Sequence, residues 1–117
     1  MKVMTIFGTR PEAVKMAPVV YQLKKTPEIE TIVCVTAQHR ELLDQVLDVF
    51  EIKPDIDLNL MKANQTLSES TANILSAVTK VVTEHQPDWI LAQGDTTTVM
   101  CASLVGYYHR IHFGHVE

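Results

Sequence analysis

Short apolar runs alternate with longer segments of helical period along the whole chain, and this alternation constrains the fold more than any other feature. Residues 3–7 form an apolar-rich run closed by Gly8, the pattern of a buried strand. Pro11 follows, where its missing N–H costs the first turn of a helix nothing. Ala13, Val14, Ala17, Val20 and Tyr21 then recur at helical spacing, with Lys24 and Lys25 near the end, where cations suit the helix dipole. Pro18 falls inside that pattern and predicts a kink or a split. Residues 31–36 are rich in β-branched side chains and read as a second strand. Leu42, Leu43, Val46, Leu47 and Phe50 predict a helix over about 40–50, ended by Pro54. Alternation over residues 55–60 predicts a short strand. Thr66 and Glu69 fit a capping box. Leu67, Ile74, Leu75, Val78, Val81 and Val82 give the helix after it one apolar face, bounded by Pro87. Residues 89–92 form the next strand and lead into Gln93-Gly94-Asp95. A helix over 96–109 carries Met100, Leu104 and Tyr108, and residues 111–116 start a further strand.

Strand and helix in strict alternation imply parallel strands joined by right-handed crossovers. The expected fold is a doubly wound, Rossmann-like α/β sheet. Such sheets bind ligands beyond the carboxyl ends of their strands, where the strand order reverses. With the order 3-2-1-4-5, Gly8-Thr9-Arg10 stands beside Gly94-Asp95-Thr96, and the end of the last strand is next to them. Three segments distant in sequence are expected to line one crevice.

The 117 residues amount to one domain at most, and 46% apolar residues suffice for a core. A net charge of −4 gives no general attraction to nucleic acid. The apolar run at the start is too short for a signal-peptide core, and no stretch reaches the length of a membrane span. Cys34 and Cys101 lie far apart in apolar runs and read as buried small hydrophobes. Together these features point to a cytoplasmic protein without nucleic-acid or membrane partners. His109, His112 and His115 cross a helix end and a strand, so their side chains should diverge, and no metal site is expected from them. His85, near a helix end, reads as a favourable end charge.

The crevice segments carry the chemistry. A helix N-terminus presents unpaired N–H groups and the positive end of a dipole, and a preceding glycine lets an anion approach. Arg10 adds a planar fork of donors suited to phosphate, and Lys15, little over one turn on, can reach the same side. The segment reads either as a phosphate site or as a tight turn with a solvated arginine. It is neither a dinucleotide fingerprint nor a Walker loop. Gln93-Gly94-Asp95-Thr96-Thr97-Thr98 places a carboxylate and a row of hydroxyls at a second strand-to-helix turn. Asp95 or a threonine there can be an N-cap, or Asp95 can move protons or bind a sugar hydroxyl. Glu117 is either a second carboxylate of the crevice or a solvated end residue. Two carboxylates in one pocket can serve as acid and base.

Gly8-Thr9-Arg10-Pro11-Glu12-Ala13, Thr36-Ala37-Gln38-His39-Arg40, Gly94-Asp95-Thr96-Thr97-Thr98 and Gly114-His115-Val116-Glu117 occur in that order. Together they resemble the start of the non-hydrolysing UDP-N-acetylglucosamine 2-epimerases. The resemblance spans all 117 residues. It implies a GT-B-type fold of two Rossmann-like domains facing across a cleft. It implies interconversion of UDP-N-acetylglucosamine and UDP-N-acetylmannosamine, for cell-envelope polysaccharides, without a cofactor. The implied route removes the C2 proton, expels UDP by anti elimination to 2-acetamidoglucal, and re-adds it. Arg10 and Lys15 match basic residues facing the diphosphate and sugar, and Asp95 and Glu117 match catalytic carboxylates. Gln38, His39 and Gln65 match an activator site for a second UDP-N-acetylglucosamine. Glu41 and Asn64 stand where glutamine and arginine can occur, which should weaken that site. The complete protein is expected to be a homodimer.

The resemblance also implies that residues 1–117 are an incomplete N-terminal domain. The second, uridine-binding domain is expected outside this chain, which alone should be inactive. An unpaired strand edge would make such a fragment prone to aggregate. The hydrolysing UDP-N-acetylglucosamine 2-epimerases and a non-catalytic nucleotide-sugar-binding fragment are the alternative readings.

Overall fold

The computed structural model describes residues 1–37, 40–60 and 62–117. In chain order the elements are β1 (Lys2–Phe7), α1 (Arg10–Lys24), β2 (Glu30–Val35), α2 (Arg40–Val49), β3 (Ile56–Asp57), α3 (Leu67–His85), β4 (Trp89–Gln93), α4 (Thr97–Tyr108) and β5 (His112–Val116). The strands form one sheet in the order β3-β2-β1-β4-β5, with every pairing parallel. This is the expected doubly wound arrangement. The chain steps outward from β1 to β3, returns across the sheet through α3 to β4, and continues to β5. Right-handed crossovers therefore put α1 and α2 on one face and α3 and α4 on the other.

The pleat of β1 serves both layers. Met4 and Ile6 pack with Ile74, Val78, Val82, Cys101 and Val105 of α3 and α4. Phe7 packs with Ala13, Met16, Ala17 and Val20 of α1 and Leu43 and Leu47 of α2. Met4, Ile6, Phe7 and Met16 are fully buried, each contributing on the order of 1.5–3 kcal/mol of hydrophobic transfer. Two aspartates extend the ladders at strand entrances. Asp88 donates its N–H to the Lys2 carbonyl at 2.8 Å and accepts the Lys2 N–H on its carboxylate at 2.7 Å. Asp55 does the same with Val33, at 2.8 Å in both directions. Each fixes the register of the strand that follows.

Several expectations need correction. α1 runs unbroken through Pro18. The hydrogen bond that Pro18 cannot make would have reached the Val14 carbonyl, and both residues are exposed, so water can satisfy it. Tyr21 is 56% exposed instead of core, with the Lys25 ammonium 5.1 Å from its ring centre. The strand expected over residues 55–60 shortens to two residues, because Asn59 turns the chain at φ 49°. Leu58 and Leu60 still donate to the Val35 and Thr36 carbonyls. Leu67 is exposed, since the buried stripe of α3 starts about two turns later at Ile74. On α4, Met100 and Tyr108 are exposed while Val99, Cys101, Ala102, Val105 and Gly106 are buried. Small residues on the inner face let this helix approach the sheet closely, and its large side chains point outward.

Candidate functional site

The β1–α1 and β4–α4 turns stand side by side at the carboxyl edge of the sheet because β1 and β4 are paired neighbours. What joins them is Glu12, which is only 2% exposed. Its Oε1 accepts the N–H groups of Gly8 and Thr9 at 2.9 and 3.0 Å. Its Oε2 accepts the Thr96 hydroxyl at 2.6 Å, the length of a charge-assisted O–H···O bond. Thr9 and Glu12 are the ends of a Thr-x-x-Glu box, the same signature that marked Thr66, whose hydroxyl accepts the Glu69 N–H at 3.1 Å. Sequence reasoning found the second box and missed the first. The signature was available to it, although the bond to Thr96 was not.

Glu12 changes the account of anion binding at this turn. The Gly8 and Thr9 N–H groups already serve an internal carboxylate, and Pro11 has none to offer. Neither of those two N–H groups is free for an external anion. Arg10 and Lys15 are both exposed, and both line an open cleft of about 760 Å³ with Thr9, Pro11, Val14, Leu42 and Thr96. That volume suits a small-molecule ligand. Among the described residues its lining has two cations and no carboxylate. Val14 and Leu42, expected in the core from their helical spacing, instead supply apolar wall to this cleft, at 43% and 47% exposure.

At the β4–α4 turn, Gly94 takes φ 98°, a conformation that favours glycine. The threonines divide the work. Thr96 occupies the N-cap position of α4 but spends its hydroxyl on Glu12. Thr98 is buried against Thr36, with the hydroxyls 3.2 Å apart, tying α4 to the end of β2. Asp95 is exposed, and among the described residues none pairs with its carboxylate. It precedes Thr96 but does not line the cleft itself.

Glu117, which follows β5, does not line the cleft either, and its side chain is 90% exposed. It connects to the Asp95 turn through His115. The His115 Nε2 lies 2.7 Å from the Gly94 carbonyl. A carbonyl only accepts, so Nε2 carries the proton, and Nδ1 is left unprotonated in the neutral ring. The Glu117 carboxylate is 3.6 Å from Nδ1 and attracts the ring once both nitrogens are protonated. Gly94 in turn donates to the Val116 carbonyl at 3.3 Å. The structure thus brings Arg10, Lys15 and Thr96 to one cleft, while Asp95 and Glu117 lie outside its lining on two linked segments. The three spaced histidines diverge as expected: His109 Nδ1 lies 3.0 Å from the Val105 carbonyl, His112 stacks on Trp89, and His115 meets Gly94. Among the described residues no group of side chains could hold a metal ion.

Of the proposed activator residues, Gln38 and His39 lie outside the described residues. Gln65 is half-buried, and its Nε2 has no hydrogen-bond partner among the described residues. Asn64 adopts φ 62°, a left-handed conformation that asparagine tolerates better than arginine. Arg40, which follows Gln38 and His39, is pinned by a two-pronged pair with Asp57, at 3.2 and 2.6 Å, and by Asp44. The hydrogen bond to Asp57, more than the surrounding charge, holds its pKa above the ordinary arginine value. Cys34 and Cys101 are both buried, as expected, and burial raises both thiols, Cys34 to about 12. Among the described residues no helix is long and apolar enough to cross a membrane.

Comparison with known proteins gives the family. A family model described as UDP-N-acetylglucosamine 2-epimerase matches residues 21–117. The chain is 58% identical over its whole length to a UDP-N-acetylglucosamine 2-epimerase of Neisseria meningitidis, covering 32% of that protein. It is 59% identical to the enzyme of that name from Bacillus subtilis, covering 31% of it. The chain therefore spans about a third of the length of these relatives. The solved Neisseria meningitidis enzyme bound to UDP-GlcNAc superposes over the whole chain with a TM-score of 0.95, and the chain covers 32% of it. The Methanocaldococcus jannaschii enzyme in complex with UDP-GlcNAc and UDP is 33% identical and superposes over the whole chain with a TM-score of 0.93, again covering 32% of that structure. These relatives resemble GT-B folds of which this sheet matches the front third. The chain belongs to the UDP-N-acetylglucosamine 2-epimerase family.

Proposed function

We propose that the protein carrying this chain interconverts UDP-N-acetylglucosamine and UDP-N-acetylmannosamine. The observation that carries this is the cleft where Arg10 and Lys15 meet Thr96, beside Asp95, in a chain of this family. Solved relatives hold UDP-GlcNAc and UDP. In the proposed route a base removes the C2 proton. The electrons of that bond form a C1–C2 double bond as the C1–O bond breaks and UDP leaves from the opposite face. UDP then re-adds at C1 of 2-acetamidoglucal after C2 is reprotonated from its other side. The leaving diphosphate gains negative charge, and the Arg10 and Lys15 cations at a cleft that no carboxylate lines among the described residues stabilise it as it forms. A proton removed on one face and returned on the other needs two protonatable groups. Asp95 and Glu117, on segments linked through His115, are the carboxylates proposed for this.

The proposal includes a second domain closing the cleft and supplying the uridine pocket, with residues 1–117 as part of the first. It places the complete protein in the cytoplasm as a homodimer serving cell-envelope polysaccharide synthesis. Gln65 keeps a donor for a second nucleotide-sugar, while Asn64 offers that ligand no cation, so activation by substrate should be weak. Product analysis tests the reading. The full-length protein given UDP-N-acetylglucosamine should yield UDP-N-acetylmannosamine, with both sugars still attached to UDP. Free N-acetylmannosamine as the main product would instead indicate a hydrolysing enzyme.

A further inference from the structure

We infer that Glu12 fixes Thr96 as a hydrogen-bond acceptor toward the cleft, so that Thr96 selects a neutral donor group of the ligand, a sugar hydroxyl or amide N–H, and not a phosphate oxygen. The inference rests on the nucleotide-sugar reading of the cleft. A threonine hydroxyl has one proton and two lone pairs, and an ionised carboxylate only accepts. At 2.6 Å from Glu12 Oε2, the Thr96 proton is committed inward. The usual role of an N-cap threonine, accepting a backbone N–H of its own helix, is not taken up. Thr96 nevertheless lines the cleft, so what it presents there is lone-pair density. Lone pairs repel the oxygens of a diphosphate and accept from O–H or N–H. The division of labour follows: Arg10 and Lys15 bind the anionic part of the ligand, and Thr96 reads the uncharged part. Glu12 is a positioning residue, buried and held by the Gly8 and Thr9 N–H groups so that it cannot swing toward the ligand.

Binding of UDP and of UDP-N-acetylglucosamine to the full-length protein decides the matter, measured by calorimetry for wild type, Thr96→Val, Thr96→Ser, Glu12→Gln and the Glu12→Gln/Thr96→Val pair. Glutamine keeps an oxygen for the Gly8 and Thr9 N–H groups, but its NH₂ donates to Thr96 and turns the threonine proton outward. Thr96→Val and Glu12→Gln should each weaken UDP-N-acetylglucosamine about tenfold while leaving UDP unchanged. Thr96→Ser should bind like wild type, and the double variant should lose no more than Thr96→Val alone. Should Glu12→Gln fail to fold, Thr96→Val against Thr96→Ser still decides. Unchanged sugar-nucleotide binding in Thr96→Val, or equal loss of UDP, would overturn the inference while leaving the nucleotide-sugar reading intact. A wild-type protein that binds neither ligand would overturn both.

Discussion

The Glu12 carboxylate accepts the Thr96 hydroxyl at 2.6 Å across 84 positions of sequence. Through that one buried side chain the turn that carries Arg10 is locked to the turn that carries Asp95. The cations and the carboxylate of the proposed reaction thus sit on one rigid seam, not on two independent loops.

If Glu12 holds the seam, removing it must cost stability as well as geometry. Glu12→Ala strands the Gly8 and Thr9 N–H groups in a buried setting and frees the half-buried Thr96 hydroxyl from its partner. Each unsatisfied buried group costs about 1–3 kcal/mol, so urea unfolding should show a loss of at least about 1 kcal/mol. A change below about 0.5 kcal/mol would mean that water replaces the carboxylate and the seam is not structural.

The cations and carboxylates should separate kinetically in the full-length protein. Asp95→Asn and Glu117→Gln should lower turnover about 10²- to 10⁴-fold, the range for general acid–base groups, with modest loss of binding. Arg10→Ala should weaken UDP and transition-state binding together. Near-normal turnover in Asp95→Asn would remove Asp95 from the mechanism.

Cys34 gives a pH signature. Burial first, and the nearby Asp57 charge second, raise its thiol from an ordinary 9.0 to about 12. Between those values the unfolded chain releases a proton that the native chain keeps. The Cys34 contribution to stability is therefore intact below pH 9.0 and is lost as pH rises toward about 12. The slope is about 1.4 kcal/mol per pH unit. Urea midpoints across this range should fall more steeply for wild type than for Cys34→Ala. Parallel curves would show that the thiol is not desolvated. The native thiol should also resist alkylation near neutral pH.

Gln86 ends α3 in a left-handed conformation, φ 47° and ψ 59°, with its N–H on the Val82 carbonyl at 2.8 Å. Glycine takes that conformation without the Cβ penalty. Gln86→Gly should stabilise the fold by about 1 kcal/mol, read as a higher melting temperature. A lower one would show that the exposed glutamine side chain makes up for its backbone strain.

The strand order and the pairing of the two turns were legible because periodicity and crossover handedness leave few alternatives. Asp95 and Arg10 could be placed at neighbouring strand ends from the chain order alone. Less was legible where one side chain answers two masters. Val14 and Leu42 keep helical spacing, yet face the cleft, because α1 and α2 start at the sheet edge where the wall of the site replaces the core. Pro18 breaks no helix because its missing bond faces water. Gly8 gives an anion access in sequence terms, but Glu12 already occupies its N–H. The Thr96–Glu12 bond was beyond sequence reasoning, since no local pattern reports a contact between residues so far apart.

The central claim is that this chain forms one wall of a site where UDP leaves a sugar as its C2 proton is removed. Incubating the full-length protein with UDP-N-acetylglucosamine in D₂O tests it most directly, with the C2 position of the recovered UDP-sugars followed by proton NMR. The account predicts UDP-N-acetylmannosamine carrying deuterium at C2. Epimer that retains its original C2 hydrogen would contradict it, because elimination and re-addition must pass through a carbon that has given up that proton.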